Sequence, residues 1–177
     1  MLDTDSTLLV IIDVQEKLAS AMHDSSALIT NLQKMIRGAL LLGIPIIATE
    51  QVNLGSTVPD VAGIMDGVRP IEKRSFSCCG EKQFMNALEK AGRRQVMIAG
   101  IECHICVYQT AVDLAARGYE VQVLADCVSS RTSMNRSIGL ERMNSEGVRS
   151  TSAEMSLFEL LKVAEGDAIR ALSRIVK

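Results

Sequence analysis

At 177 residues, with a formal net charge of −2 and a pI near 5.7, the chain is long enough to bury a core over most of its length. It carries no basic field to attract nucleic acid or an anionic membrane, and with no tryptophan and 3% aromatic residues it lacks the rings that stack on bases. No apolar run reaches the ~20 residues that span a bilayer, so neither nucleic acid nor membrane is an expected partner; a small-molecule substrate is.

Thr7 to Ile12, T-L-L-V-I-I, is a continuous apolar strand that closes on a charge at Asp13. Such a strand must be covered on both faces. Ser25 to Leu42 has the periodicity of a long amphipathic helix, and Gly43 supplies its stop. Ile44 to Ala48 reads as the next buried strand, running out into polar Thr49, Glu50 and Gln51. Val52 to Arg69, with Gly55, Pro59, Gly63 and Gly67, reads as a loop holding at most one helical turn. Long loops in such domains usually serve a site. Pro70 to Lys73 fits a short edge strand, where proline is tolerated, and Glu81 to Ala91 is helical up to Gly92.

The stretch from Gln95 to Gly118 organises the chain. Val96 to Ala99 is a buried strand halted at Gly100, and helical periodicity follows a short crossover that carries Cys103 and Cys106. This puts Cys106 in or near a first helical turn, where unpaired N–H groups and the helix dipole favour thiolate over thiol. Glu120 to Ala125 is a strand ending at Asp126, Met134 to Glu146 a helix and Val148 to Thr151 a last short strand. Ser152 caps another helix, and Gly166 separates that helix from a final one reaching about Ile175. The alternation specifies one α/β domain over residues 1–177, with a doubly wound, mostly parallel sheet covered by helices on both faces. Ligands in such sheets bind beyond the carboxyl ends of the strands, which is where Asp13, Thr49 to Gln51, Lys73, Glu102 to Cys106 and Asp126 fall.

The five cysteines are odd in number, and M-L-D-T-D-S at the start has neither the basic flank nor the apolar core of an export signal. The expectation is a reducing, cytoplasmic setting without structural disulfides. A hydrophobic fraction of 47% and a mean hydropathy of +0.19 point to extra burial at subunit contacts, hence a homo-oligomer.

Three segments together, I-I-D-V-Q around Asp13, E-K-R-S-F around Lys73 and G-I-E-C-H-I-C-V-Y-Q-T-A-V-D-L around Cys106, resemble the isochorismatase-like cysteine hydrolases. The last is most similar to the isochorismatase-domain-containing branch. The resemblance implies a three-layer, Rossmann-like α/β/α fold and an Asp-Lys-Cys triad that hydrolyses a small amide or related C–N bond through a covalent acyl-enzyme. Asp13 would take the thiol proton, Lys73 would hold the charged forms in place, and Cys106 would attack. It also implies a cis peptide at Ile101–Glu102, with the Glu102 and Cys106 N–H groups as the oxyanion hole. Gln15, Glu50, Gln51, Phe76 and Tyr108 are candidates for substrate binding. The D-x-H-x-x-H metal cluster of the superfamily's nicotinamidases has no counterpart among the two histidines, so neither a metal nor another cofactor is expected. Isochorismatases proper lack the cysteine, which argues against their vinyl-ether chemistry here.

Other readings compete. Cys106 could be a small buried hydrophobe, Asp13 a cap for a helix starting near Glu16, and Lys73 a solvated edge residue. Cys103 and Cys106 also spell the C-x-x-C of thiol-disulfide exchange, although the flanking residues belong to the hydrolases; oxidation of Cys103 could still protect or inhibit Cys106. A non-catalytic oligomeric scaffold is the third class. His104 fits a rim or subunit contact better than a general base, and Asp113 and Asp126 fit structural roles.

Overall fold

The computed structural model describes residues 1–177. Six strands are β1 (Thr7–Ile12), β2 (Ile46–Gln51), β3 (Ile71–Lys73), β4 (Gln95–Ile101), β5 (Glu120–Ser129) and β6 (Arg149–Thr151). Eight helices accompany them: α1 (Glu16–Ala19), α2 (Ser25–Leu41), α3 (Pro59–Ala62), α4 (Lys82–Ala91), α5 (Tyr108–Ala116), α6 (Ser133–Ser145), α7 (Ala153–Leu161) and α8 (Gly166–Val176). The strands form one sheet in the order β3-β2-β1-β4-β5-β6, and every pairing is parallel.

Strand alternation divides the core into two halves. Leu9 and Ile11 of β1 pack with α2, α7 and α8 residues on one face. Leu8, Val10 and Ile12 pack with Phe84 and Leu88 of α4 and with Ala111 and Leu114 of α5 on the other. This is the expected three-layer arrangement, with the sheet wholly between helices.

Two strands run further than their apolar cores. β2 continues through Thr49, Glu50 and Gln51, because each of these pairs with β3 at Ile71, Glu72 and Lys73. β5 continues to Ser129 rather than ending before Asp126. Its register against β4 shifts between Ile98 and Gly100, and Arg136 holds the displaced segment by donating from Nε to Val128 O at 2.9 Å and from Nη2 to Ala125 O. Asp126 accepts from Ala153 N at the start of α7 and so fixes that distant helix rather than the turn beside it. Gly100, at φ +119°, is required: a Cβ there would lie 2.1 Å from Ile12 O on β1.

The chain winds from β1 towards β3 on one side and through β4 to β6 on the other. The reversal lies between β1 and β4, and a doubly wound sheet opens its crevice beyond the carboxyl ends of such neighbours.

Candidate active site

β1 ends at Asp13, whose φ of +51° is a left-handed conformation that aspartate tolerates better than most residues. Asp13 is fully buried. Its Oδ1 accepts a 2.8 Å hydrogen bond from Thr49 Oγ1 on β2. Its Oδ2 lies 2.7 Å from Lys73 Nζ, with both side chains wholly buried, in an ion pair that leaves that oxygen without an aligned hydrogen bond.

Lys73 closes β3, and its ammonium is shared among five acceptors. Besides Asp13, it donates to Gln51 Oε1 at 2.6 Å, Ser75 O at 3.0 Å, Phe76 O at 3.1 Å and Cys106 Sγ at 3.6 Å. Burial works to lower the Lys73 pKa, but the Asp13 carboxylate and Cys106 outweigh it and the net shift is upward. The loop that supplies the two carbonyls is itself clamped by Glu81, whose Oε1 accepts from Arg74 N, Ser75 N and Ser75 Oγ. These three bonds hold its carboxyl down at about 2.

Cys106 lies in one π turn, Cys103–Val107, between β4 and α5. Such turns are rare and are frequently found at functional sites. The thiol is pushed up to about 12, first by burial and then by the Asp13 charge, against a downward pull from Lys73. The resting group is therefore a thiol, not the thiolate expected at a helix start: the wall of the core and the neighbouring carboxylate outweigh the backbone dipole. Asp13 and Cys106 line the same cavity and share the Lys73 ammonium, and Asp13 Oδ2 carries no aligned hydrogen bond. The Ile101–Glu102 peptide is cis, and Glu102 N–H has no backbone acceptor.

These groups meet at a cavity of about 130 Å³ lined by Asp13, Leu18, Gln51, Leu54, Phe76, Glu102, Ile105 and Cys106. Of the candidates for substrate binding, Gln51 and Phe76 line it. Three do not. Gln15 is fully buried and spends its amide on Gln51 N, Gln51 O and Gly55 O; it positions the Val52–Gly55 segment over the cavity. Glu50 accepts from Thr57 N and Oγ1, both at 2.7 Å. Tyr108 turns towards α6, where Arg142 donates to its hydroxyl at 2.8 Å and lies 4.6 Å over its ring. Leu18, Leu54 and Ile105 were not singled out by sequence. Leu54 lies in the loop assigned to the site, and Ile105 adjoins Cys106, but an apolar residue carries no chemical signature of its own.

Cys103 points away from this cavity. It is fully buried, its thiol is pushed up to about 12 by burial, and it donates to Arg136 O at 3.6 Å. His104 Nδ1 lies 2.9 Å from Ser130 Oγ, and Asp113 accepts from Ser77 Oγ at 2.6 Å. All five cysteines are free.

A larger hollow of about 280 Å³ lies between α2 and α6, lined by residues that include Asn31, Asp126 and Arg136. It shares no lining residue with the cavity at Cys106, and its Arg136 and Asp126 serve the β5 irregularity and α7.

The isochorismatase domain profile matches residues 7–155. The secreted isochorismatase effector Isc1 of Phytophthora sojae is 34% identical over 97% of this chain and 85% of its own. Isochorismatase domain-containing protein 1 of Salmo salar is 35% identical over 97% of this chain, which spans 61% of that relative's length. Among solved structures, the MAR1 ribonuclease of Caenorhabditis elegans superposes with a TM-score of 0.93 at 31% identity, covering 99% of this chain and 91% of that one. The YcaC gene product of Escherichia coli, described as an octameric hydrolase of unknown specificity, superposes with a TM-score of 0.92 at 22% identity, covering 98% and 88%. Sheet order, domain profile and relatives matched over nearly this whole chain agree: the chain belongs to the isochorismatase-like hydrolase family, in its isochorismatase-domain-containing branch.

Proposed function

We propose that this protein is a metal-independent cysteine hydrolase that cleaves the C–N bond of a small amide. The observation that carries the reading is one buried ammonium, Lys73, 2.7 Å from a carboxylate and 3.6 Å from a thiol at the edge of a cavity. Asp13 takes the proton from Cys106, and the thiolate attacks the carbonyl carbon. The tetrahedral oxyanion is received by the Glu102 and Cys106 N–H groups. Collapse breaks the C–N bond, and the leaving amine takes the proton held by Asp13. Water then attacks the thioester and gives its proton to Asp13, and the carboxylic acid departs as the thiol is re-formed. Lys73 holds the two anionic groups together through both halves of the cycle.

A neutral resting thiol needs a base within reach, and Asp13 supplies one. Thiol-disulfide exchange gains no such support, because Cys103 faces packed hydrocarbon and a backbone carbonyl. One structural neighbour is described as a ribonuclease, yet the cavity here presents carboxylates and no free cation to a phosphodiester.

We also infer a homo-oligomer. The octameric neighbour supports it, as do Met134, Ile138, Met155 and Val163, which remain 44–67% exposed. Five free thiols favour a reducing compartment.

A panel of short-chain amides, carbamoyl compounds and esters tests the reaction class. Release of ammonia or amine is expected for the protein and a loss of roughly a thousandfold or more for Cys106→Ala. Equal turnover by Cys106→Ala would defeat the reading.

A further inference from the structure

Apart from the backbone N–H groups that receive the oxyanion, few polar groups on the cavity wall are free. Gln51 accepts from Lys73 through Oε1 and donates one Nε2 hydrogen to Arg74 O at 3.0 Å. Lys73 lies behind Asp13 with no exposed surface. Leu18, Leu54, Phe76 and Ile105 offer only hydrocarbon. Asp13 is paired with Lys73 through Oδ2 at 2.7 Å and with Thr49 through Oδ1. The remaining carboxylate is that of Glu102, whose side chain is 8% exposed and whose hydrogen bonds, from Arg131 N at 3.1 Å and Arg131 Nε at 3.3 Å, both go to Oε2.

Arg131 reaches Glu102 from solvent, with 61% of its own side chain exposed, and does not line the cavity. Oε1 therefore has no protein partner and stays open to solvent, on a side chain that is otherwise more than nine-tenths buried. A carboxylate oxygen with spare acceptor capacity on the wall of a cavity accepts a donor from a ligand. It repels an anion brought into the same small space. The cavity measures about 130 Å³, so an anion bound in it lies close to the Glu102 carboxylate.

We propose that Glu102 is a specificity-determining residue that restricts the site to small uncharged primary amides and excludes acyl compounds carrying a carboxylate. A primary amide brings two N–H donors and no charge. A dicarboxylic monoamide brings an anion with no cation to meet it. This assignment rests on Cys106 being the nucleophile, and its test separates the two claims.

Iodoacetamide and iodoacetate differ at the group that meets Glu102, and each alkylates a thiolate by the same displacement. The sulfur–carbon bond forms as the carbon–iodine bond breaks; iodide leaves, and the thiol proton passes to Asp13 or solvent. Alkylation of Cys106 is followed by intact mass and peptide mapping, with glutathione giving the intrinsic rate ratio of the two reagents. The expected preference of Cys106 for iodoacetamide exceeds that of glutathione by about tenfold or more, and Glu102→Gln brings it to within about twofold.

In the unsubstituted protein, butyramide slows the iodoacetamide reaction and succinamate at equal concentration does not; this arm holds even if Glu102→Gln fails to fold. A preference equal to that of glutathione, a preference unchanged in a folded Glu102→Gln protein, or equal protection by succinamate overturns the role of Glu102 while leaving the nucleophile in place. Absence of any Cys106 adduct overturns the nucleophile, and the selectivity with it.

Discussion

Asp13 and Lys73 exist in ionised form inside the protein only because each has the other. Removing one leaves a buried, uncompensated charge, which typically costs about 3–5 kcal/mol. Lys73→Met is therefore expected to lower stability by that order in a denaturant titration as well as to abolish turnover, and a stability within about 0.5 kcal/mol of the original would mean that the pair is solvated. Glu81 acts one step further out. It clamps the Arg74–Phe76 loop, whose carbonyls take two of the Lys73 hydrogen bonds. Its carboxyl is held at about 2, below the ordinary 4.5, so this contribution is complete above pH 4.5 and fades as pH falls towards 2. Glu81→Gln is expected to remove that acid-limb dependence and to lower kcat through a looser Lys73. An unchanged acid limb would show that the clamp does not form.

At the scale of elements, the π turn that carries Cys106 is held from behind by α6. A Cβ on Gly139 would stand 3.0 Å from the His104 backbone and 3.1 Å from Cys103 C, so α6 approaches the turn as closely as a glycine permits. Gly139→Ala is expected to cost about 1–3 kcal/mol and to reduce turnover by displacing the thiol; full activity with unchanged stability would show that the turn gives way freely. This contact was not legible in the sequence, where Gly139 is one small residue in a helical pattern. The strand–turn–helix around Cys106 was legible, because β-branched runs and a glycine stop are local signals. The ends of β2 and β5 were not, because Thr49 to Gln51 become strand only through pairing with β3 and Asp126 only through the β4 irregularity. The same limit governs the site. A charge closing an apolar strand identified Asp13, and the resemblance carried by E-K-R-S-F identified Lys73, whereas Gln15, Glu50 and Tyr108 have polar groups that their own loops and helices consume. Nothing in the sequence alone reveals which amide is already satisfied.

Taken as a whole, the molecule keeps its thiols protonated. Burial raises Cys78 to about 11 and Cys103 and Cys106 to about 12, from an ordinary value of 9.0. The folded chain thus retains protons that the unfolded chain releases above pH 9. The associated stability is complete below pH 9 and falls across pH 9 to 12, by about 1.4 kcal/mol per pH unit for each thiol. Denaturation midpoints measured from pH 8 to 11 are expected to drop more steeply for the original protein than for Cys103→Ala; parallel slopes would show that Cys103 titrates normally. Below that range the proposed nucleophile, Cys106, would depend on Asp13 for its activation, which makes the covalent intermediate the central claim. The most direct measurement is the intact mass of protein acid-quenched during turnover of a short-chain primary amide. The account predicts a mass increase equal to the acyl group, mapped to Cys106 and absent from Cys106→Ala. Sustained hydrolysis with no adduct, or an adduct that persists in Cys106→Ala, would contradict it.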